Sequence, residues 1–335
     1  MDYTKGYKAE FYSAFLDPVT WAEQERIELV SGSVSRTNSG LRASADLTVR
    51  EYDQPIDRWI RIYMDCDQNG ARSHEAIFTG IVSTPGSDYN GAVSTVKLTA
   101  YSPLKAAEDI KLQLGWYVPA GRNGATVIQE LLRKQPAPVE IRGTAPVLSE
   151  AIVAEQNENC LTMTEKVLSA INWKMQVAGD GRIILSPVEA NPEAVLLMSA
   201  GDNDIVETSF SKGRDWFSCP NVLFATTGSA TYEAVDNDPD SELSTVSRGR
   251  EVQVFEENVT LADNETIRKY AERRLRELQE RTETASYTRR YMPDVYPGDA
   301  VSLSYGDLEG LFTIESQSIT LGTSGRTKED VKRTI

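Results

Sequence analysis

Histidine is almost missing from this chain: His74 is the single one in 335 residues, and there are only three cysteines. One imidazole leaves a Ser-His-Asp arrangement a single candidate base, and no G-x-S-x-G elbow exists to present a serine to it. Cys66, Cys160 and Cys219 are an odd, widely scattered set. They make neither a disulfide framework nor a zinc site, and read as reduced core residues of a protein made in the cytosol. No C-x-x-C, H-E-x-x-H, P-loop or G-x-G-x-x-G occurs, so no cofactor, metal or catalytic residue is expected. Long apolar runs are lacking too. No window reaches the roughly 18 apolar residues of a membrane span, and no positive segment followed by an apolar run marks a signal peptide at the N-terminus. Positive charge is in deficit, with 35 Lys and Arg against 50 Asp and Glu and a net charge of -15. That balance argues against a nucleic-acid groove and against binding anionic membranes. It suits a soluble protein, or a surface past which polyanions slide without sticking.

What is present is mostly β pattern. Over residues 1–103, strands are expected near 8–12, 27–34, 44–51 (with Ala45, Leu47 and Val49 on one side), 59–64, 75–82 and 93–101. Asp67-Gln-Asn-Gly70 and Asn90-Gly91 supply hairpin turns. Strands at near-regular spacing with turns between them indicate a small barrel or sandwich. Ser102-Pro103 closes this region. Residues 104–203 read as an α+β insert, with helices over 104–114 and 125–134. A third helix opens at Thr162, whose capping box would use Glu165. A hairpin turns through Ala178-Gly-Asp-Gly181. From 204 to 321 the chain returns to β, with strands near 205–211, 220–226 and 249–258, and Asp236 to Ser247 forms an acidic, mobile loop.

The stretch from Leu261 to Leu321 organises the rest. Ile267, Tyr270, Ala271, Leu275 and Leu278 recur at spacings of three and four, the stripe of an amphipathic helix over about 264–280 capped by Asp263. Strands at about 284–291, 299–305 and 311–320 follow, and the helix is expected to lie against them. Glu75-Ala-Ile-Phe-Thr79 and Glu309-Gly-Leu-Phe-Thr313 occupy the same place in the two β regions, which leaves duplication and coincidence both open. The tail 322–335 matches no pattern.

Few residues invite chemistry. His74, beside Glu75, reads as a surface turn residue. Asp65, Asp67, Asn69 and Gly70 follow the opening spacing of an EF-hand loop, but Ala76 stands where the bidentate Glu is needed, and a plain turn fits better. Asp236, Asp238, Asp240 and Glu242 alternate similarly around Pro239 and read as a solvated loop. With 50 acidic residues, no glycosidase-type carboxylate pair can be singled out. Trp21, Trp59, Trp116, Trp173 and Trp216 are ungrouped and read as core and interface anchors rather than a glycan platform.

The order of segments resembles the baseplate hub proteins of contractile phage tails, the group that includes late control protein D and the hubs of Gram-positive prophages. The resemblance is carried by Arg42-Ala-Ser-Ala-Asp-Leu-Thr-Val49, Ile77-Phe-Thr-Gly-Ile-Val82, Leu98-Thr-Ala-Tyr-Ser-Pro-Leu104, the Asp180-Gly181 hairpin and Tyr291-Met-Pro-Asp-Val-Tyr-Pro-Gly-Asp299. It spans about residues 8 to 321. It implies a β-rich α+β fold with tail-tube-like β-barrels at 1–103 and 204–321, the latter with helix 264–280 packed on it. The α+β domain 104–203 would lie between them, and 322–335 would be a C-terminal tail. It also implies a homotrimeric ring that joins tail tube to central spike around a channel. The implied partners are the tube or tube-initiator protein, the spike, baseplate wedge proteins and tape-measure protein, with no specific nucleic-acid binding. The hub pattern uses the whole chain, so no appended cell-wall hydrolase is expected. The alternative is a tail-associated peptidase or carbohydrase acting on the host envelope.

Overall fold

Alternating burial builds the larger part of the protein, as along Ala43–Val49, where Ala43, Ala45, Leu47 and Val49 all face inward. In the computed structural model of the chain, the residues described are 7–50, 52, 57–68, 71–83, 86–90, 93–189, 192–199, 211–214, 216–227, 230–257, 259, 266–279, 282–305, 308–322 and 325–334. Contacts divide the chain into two units, Met1–Phe210 with Ser286–Val331, and Ser211–Ala285 with Lys332–Ile335.

Within the larger unit, one sheet runs through both the N-terminal and the C-terminal strands. From one end it follows Glu23–Ile27, Tyr7–Leu16, Trp59–Gln68, Ala71–Val82, Val93–Tyr101, Ala43–Val49 and Leu29–Thr37. It continues through Leu308–Leu321 and residues 326–331 to residues 286–290, the parts of the last two strands that belong to this unit. The path is open among the described residues. Its core joins Val34, Leu47, Ile60, Ile62, Ile77, Phe78 and Leu98 with Ile319 and Leu321 from the far end of the chain. Ala300–Tyr305 pairs antiparallel with Leu308–Leu321 and in parallel with Ala194–Ser199.

The middle residues carry their own core of Leu104, Ile128, Val167, Trp173, Ile183 and Leu185, in an α+β arrangement. The expected helix over 104–114 stops at Glu108. Beyond it the backbone is taken by segment 158–160: Leu112 N–H donates to Glu158 O, and Ile110 O accepts from Cys160 N–H. Helix Cys160–Ala170 is capped by Asn159 rather than Thr162, because the Asn159 side chain accepts from Thr162 N. Glu165 is thereby free to serve elsewhere.

In the smaller unit, Val222–Thr226 lies antiparallel to Thr231–Val235 and parallel to Gln253–Glu256. Ala271 and Leu275 of helix Ile267–Gln279 pack on Leu223, Ala225 and Ala234. The helix therefore covers strands that precede it, where the strands at 284–320 were expected to be its partners. An apolar stripe specifies that a helix is covered but not by what. Asp263 and the strand expected at 205–211 (apart from its last residue) lie outside the described residues. The segment Asp236 to Ser247, expected as a loop, runs into a helical turn, Thr245–Arg248, and follows the strand Thr231–Val235. The tail holds the strand Arg326–Thr334.

Truncating Leu275 to alanine removes the centre of the small core and is expected to cost about 2–5 kcal/mol in that unit. Hydrogen exchange should then quicken at the amides of Val222–Thr226, and unchanged exchange there would contradict this packing.

Candidate functional site

His74 sits within the strand Ala71–Val82, not in a turn. Its Nδ1 lies 2.6 Å from Asp65 Oδ1, directly across the hairpin. The ring stacks on Tyr63 at 4.7 Å, Tyr63 stacks on Tyr12 at 5.1 Å, and the Arg26 guanidinium sits 4.0 Å from the Tyr12 ring. Burial lifts the phenols of Tyr12 and Tyr63 above the ordinary tyrosine range. Beside this row a cavity of about 560 Å³ is lined by Glu10, Asp65, Asp67, Arg72, Ser73 and His74. A carboxylate-held imidazole has the orientation of a general base, but acyl transfer also needs a positioned nucleophile and oxyanion donors. The cavity is lined by carboxylates, the Arg72 guanidinium, the imidazole, the Ser73 hydroxyl and the Cys66 thiol, and the His74 nitrogens face Asp65 and the Tyr12 hydroxyl.

Asp65 and Asp67 belong to the strand Trp59–Gln68 and face His74 and Arg72 across the hairpin, while Asn69 and Gly70 lie outside the described residues. The acidic segment is knitted to itself. Asp236 accepts from Asp238 N–H, Ser241 Oγ and Gln279 Nε2, and Asp238 accepts from Asp240 N–H. Among the described residues, no three His, Cys, Asp or Glu side chains form a metal-sized cluster, and no helix is long and apolar enough to cross a membrane. Trp59 and Trp173 are buried as core anchors. The tryptophans are not all ungrouped, however: Trp21 and Trp59 meet with ring centroids 5.6 Å apart.

The groups that position everything else were not singled out from the sequence. A row of buried polar side chains crosses four adjacent strands where the two ends of the chain meet. Arg289 donates to both Glu329 oxygens, through Nε at 2.9 Å and through Nη2. Gln317 Nε2 donates to Glu329 at 2.6 Å and to Val295 O at 3.0 Å. Arg36, opposite Gln317 in the register, donates to its Oε1 at 3.4 Å and to Ile77 O at 2.7 Å. The Arg289–Glu329 pair is essentially unexposed, with side-chain accessibilities of 1% and 0%. Burial, with Glu329 adding to it, pushes the nearby Tyr287 phenol far up. One signal could have found part of this row. Strand alternation puts Arg36 in phase with Val34, and Gln317 in phase with Ile319 and Leu321, so both point inward.

The hairpin Ala178–Gly181 clamps the middle region to this sheet. Thr79 Oγ1 donates to Gly179 O at 2.8 Å, and Arg61 Nη2 donates to Asp180 O at 2.9 Å. On the adjoining strand Trp173–Val177, Lys174 donates to Gly298 O, and Gln176 donates to Pro297 O and Asp299. Arg42 adds a grip on Glu165, with Nη2 alone donating to both carboxylate oxygens at 2.7 and 2.8 Å. Burial lowers the Arg42 pKa and raises that of Glu165, and their mutual attraction opposes both shifts.

No family model and no curated protein matches the sequence. Solved structures do match the fold. The chain is similar to a tail protein from Neisseria meningitidis, with TM-score 0.67 and 13% identity over 97% of each chain. It is also similar to the 43 kDa tail protein of prophage MuSo2 from Shewanella oneidensis, with TM-score 0.66 and 11% identity over 96% of this chain and 97% of that one. A type VI secretion component from Escherichia coli, described as similar to T4 bacteriophage tail proteins, matches with TM-score 0.52 and 8% identity over 91% of this chain and 73% of its own. The fold is therefore that of prophage tail proteins, as the resemblance in sequence implied, and it is shared by a type VI secretion component.

A Cβ on Gly179 would lie 1.8 Å from Ala76 O, so Gly179→Ala must push the hairpin off the strand. The expected loss is about 1–3 kcal/mol by chemical denaturation. In the polar row, Arg289→Met strands a buried carboxylate and should cost about 3–5 kcal/mol, whereas Arg289→Met with Glu329→Leu should cost distinctly less. A double variant as unstable as the single one would show that the pair is not isolated in this way.

Proposed function

We propose that the chain is a structural, non-enzymatic subunit of a phage tail or phage-tail-like particle, and that within it the chain is the baseplate hub. Three copies form a ring that joins the tail tube to the central spike, contacts the wedge proteins and lets tape-measure protein and DNA pass. The observation that carries this reading is the end-to-end agreement of fold with prophage tail proteins, over 97% of both chains in the Neisseria case.

Two further features support it. The strands Ala71–Val82 and Leu308–Leu321 each return from a hairpin, and each buries a phenylalanine: Phe78 opposite Ile62 and Phe312 opposite Val301. That repetition fits a duplicated tube-like module, so a threefold ring presents pseudo-sixfold symmetry to the tube. In this reading 1–103 is the first module and 104–203 the middle domain. The second lies within 204–321, interrupted by the helix-covered sheet of 211–285. A net charge of -15 keeps phosphate from adhering to a channel wall.

Light scattering of the purified protein is expected to give three times the chain's 37.1 kDa, with ring-shaped class averages in micrographs. One copy per assembled particle would overturn the trimer. Peptidoglycan zymograms should show no clearing, and clearing lost on changing a specific carboxylate pair would favour an envelope-cutting enzyme instead.

A further inference from the structure

The middle region contains a small apolar cavity whose positive rim is unused by the rest of the fold. The cavity measures about 260 Å³ and lies between segment 110–116 and the end of helix Gly124–Leu131, with Ile110, Leu112, Trp116 and Cys160 among its walls. Lys111, Arg133 and Lys134 also line it, and all three are exposed. The acidic groups around them are committed elsewhere. Glu130 accepts from Arg122 at 2.6 Å, Glu108 and Asp109 hold Lys105, and Glu155 and Glu158 hold Lys166. No ion pair involves Lys111, Arg133 or Lys134 among the described residues. In a chain with 15 more acidic than basic residues, three unpaired cations around one apolar hollow are a local reversal of charge.

Two of these cations have a simpler role available, since Arg133 and Lys134 follow a helix whose last carbonyls favour positive charge. That role accounts neither for Lys111, which comes from another segment, nor for the hollow between them. The neighbouring surface is apolar as well. Leu114 is 87% exposed, and Tyr117 and Val153, paired across a two-stranded sheet, are each 60% exposed. Leu114 lies on the segment that walls the hollow and Tyr117 directly follows it, so the chain next to the hollow carries exposed apolar side chains. The hollow falls below the roughly 300–1,000 Å³ of sites that enclose a whole small molecule, and suits a single bulky side chain.

We propose that this cavity seats an acidic segment of a partner protein, with one large apolar side chain in the hollow and flanking carboxylates on Lys111, Arg133 and Lys134. Association of this kind is anchored by the buried side chain and steered by the charges. The proposal does not depend on the hub reading.

Three fluorescein-labelled peptides test it by anisotropy on the full chain: Asp-Glu-Trp-Glu-Asp, Asp-Glu-Gly-Glu-Asp and Lys-Arg-Trp-Arg-Lys. The first is expected to bind at least tenfold tighter than either of the others and to weaken as salt is raised. Lys111→Glu with Lys134→Glu should weaken it at least tenfold, with the circular dichroism spectrum confirming the fold. Arg50→Glu, a charge reversal at an exposed position of the N-terminal region, should leave it unchanged. Equal binding of the three peptides, no binding at millimolar concentration, or indifference to the double reversal would overturn the proposal.

Discussion

The larger unit depends on one pairing: Ser316–Leu321 running antiparallel to Gly32–Thr37. It joins strands from opposite ends of the chain into a single sheet, and the Arg36–Gln317–Glu329–Arg289 row fixes its register. A slip of one residue would turn Ile319 and Leu321 to water and bury their polar neighbours. The polar row raises that penalty, since a displaced Glu329 would lose both Arg289 and Gln317 in a site without solvent.

Around this junction the middle region acts as a wedge held on two sides. The hairpin at Gly179–Gly181 meets the N-terminal sheet, and Lys174 with Gln176 holds the turn before Ala300. The backbone approach at Gly179 is so close that only hydrogen fits there. A part that reads in sequence as an insert is thus hydrogen-bonded both to the N-terminal strands and to the turn before Ala300.

Much of this was legible in advance, for physical reasons. Asn90-Gly91 announces the pairing of Gly86–Asn90 with the strand from Val93, its turn itself lying outside the described residues; Ala178–Gly181 marks a hairpin because few other residues tolerate such a turn, and Ala45, Leu47 and Val49 alternate because one face of their strand is buried. The strand Arg326–Thr334 was hidden by the same logic. Its inward positions are Thr327, Glu329 and Val331, so a buried strand carries the composition of a charged tail. Nothing local in Glu329 announces a partner 40 residues away. The covering of helix Ile267–Gln279 was likewise invisible, since its stripe fits any sheet of the right width. Of the residues considered for chemistry, His74 and Asp65 are brought together, while the cations of the small cavity drew no notice because each looks like an ordinary surface charge.

The closing pair, Arg36 and Gln317, stands 281 positions apart along the chain. During translation, at about 5–20 residues per second, the strand Leu29–Thr37 must wait on the order of 15–55 s for its neighbour to be synthesised. Throughout that interval one edge of the nascent sheet offers bare amides and carbonyls to any other growing chain. Long loops of this kind also slow closure once synthesis is complete. Yield from recombinant expression should accordingly be limited by how well a holdase shields that edge, and slower growth at low temperature, which thins the population of half-made neighbours, should raise the soluble fraction.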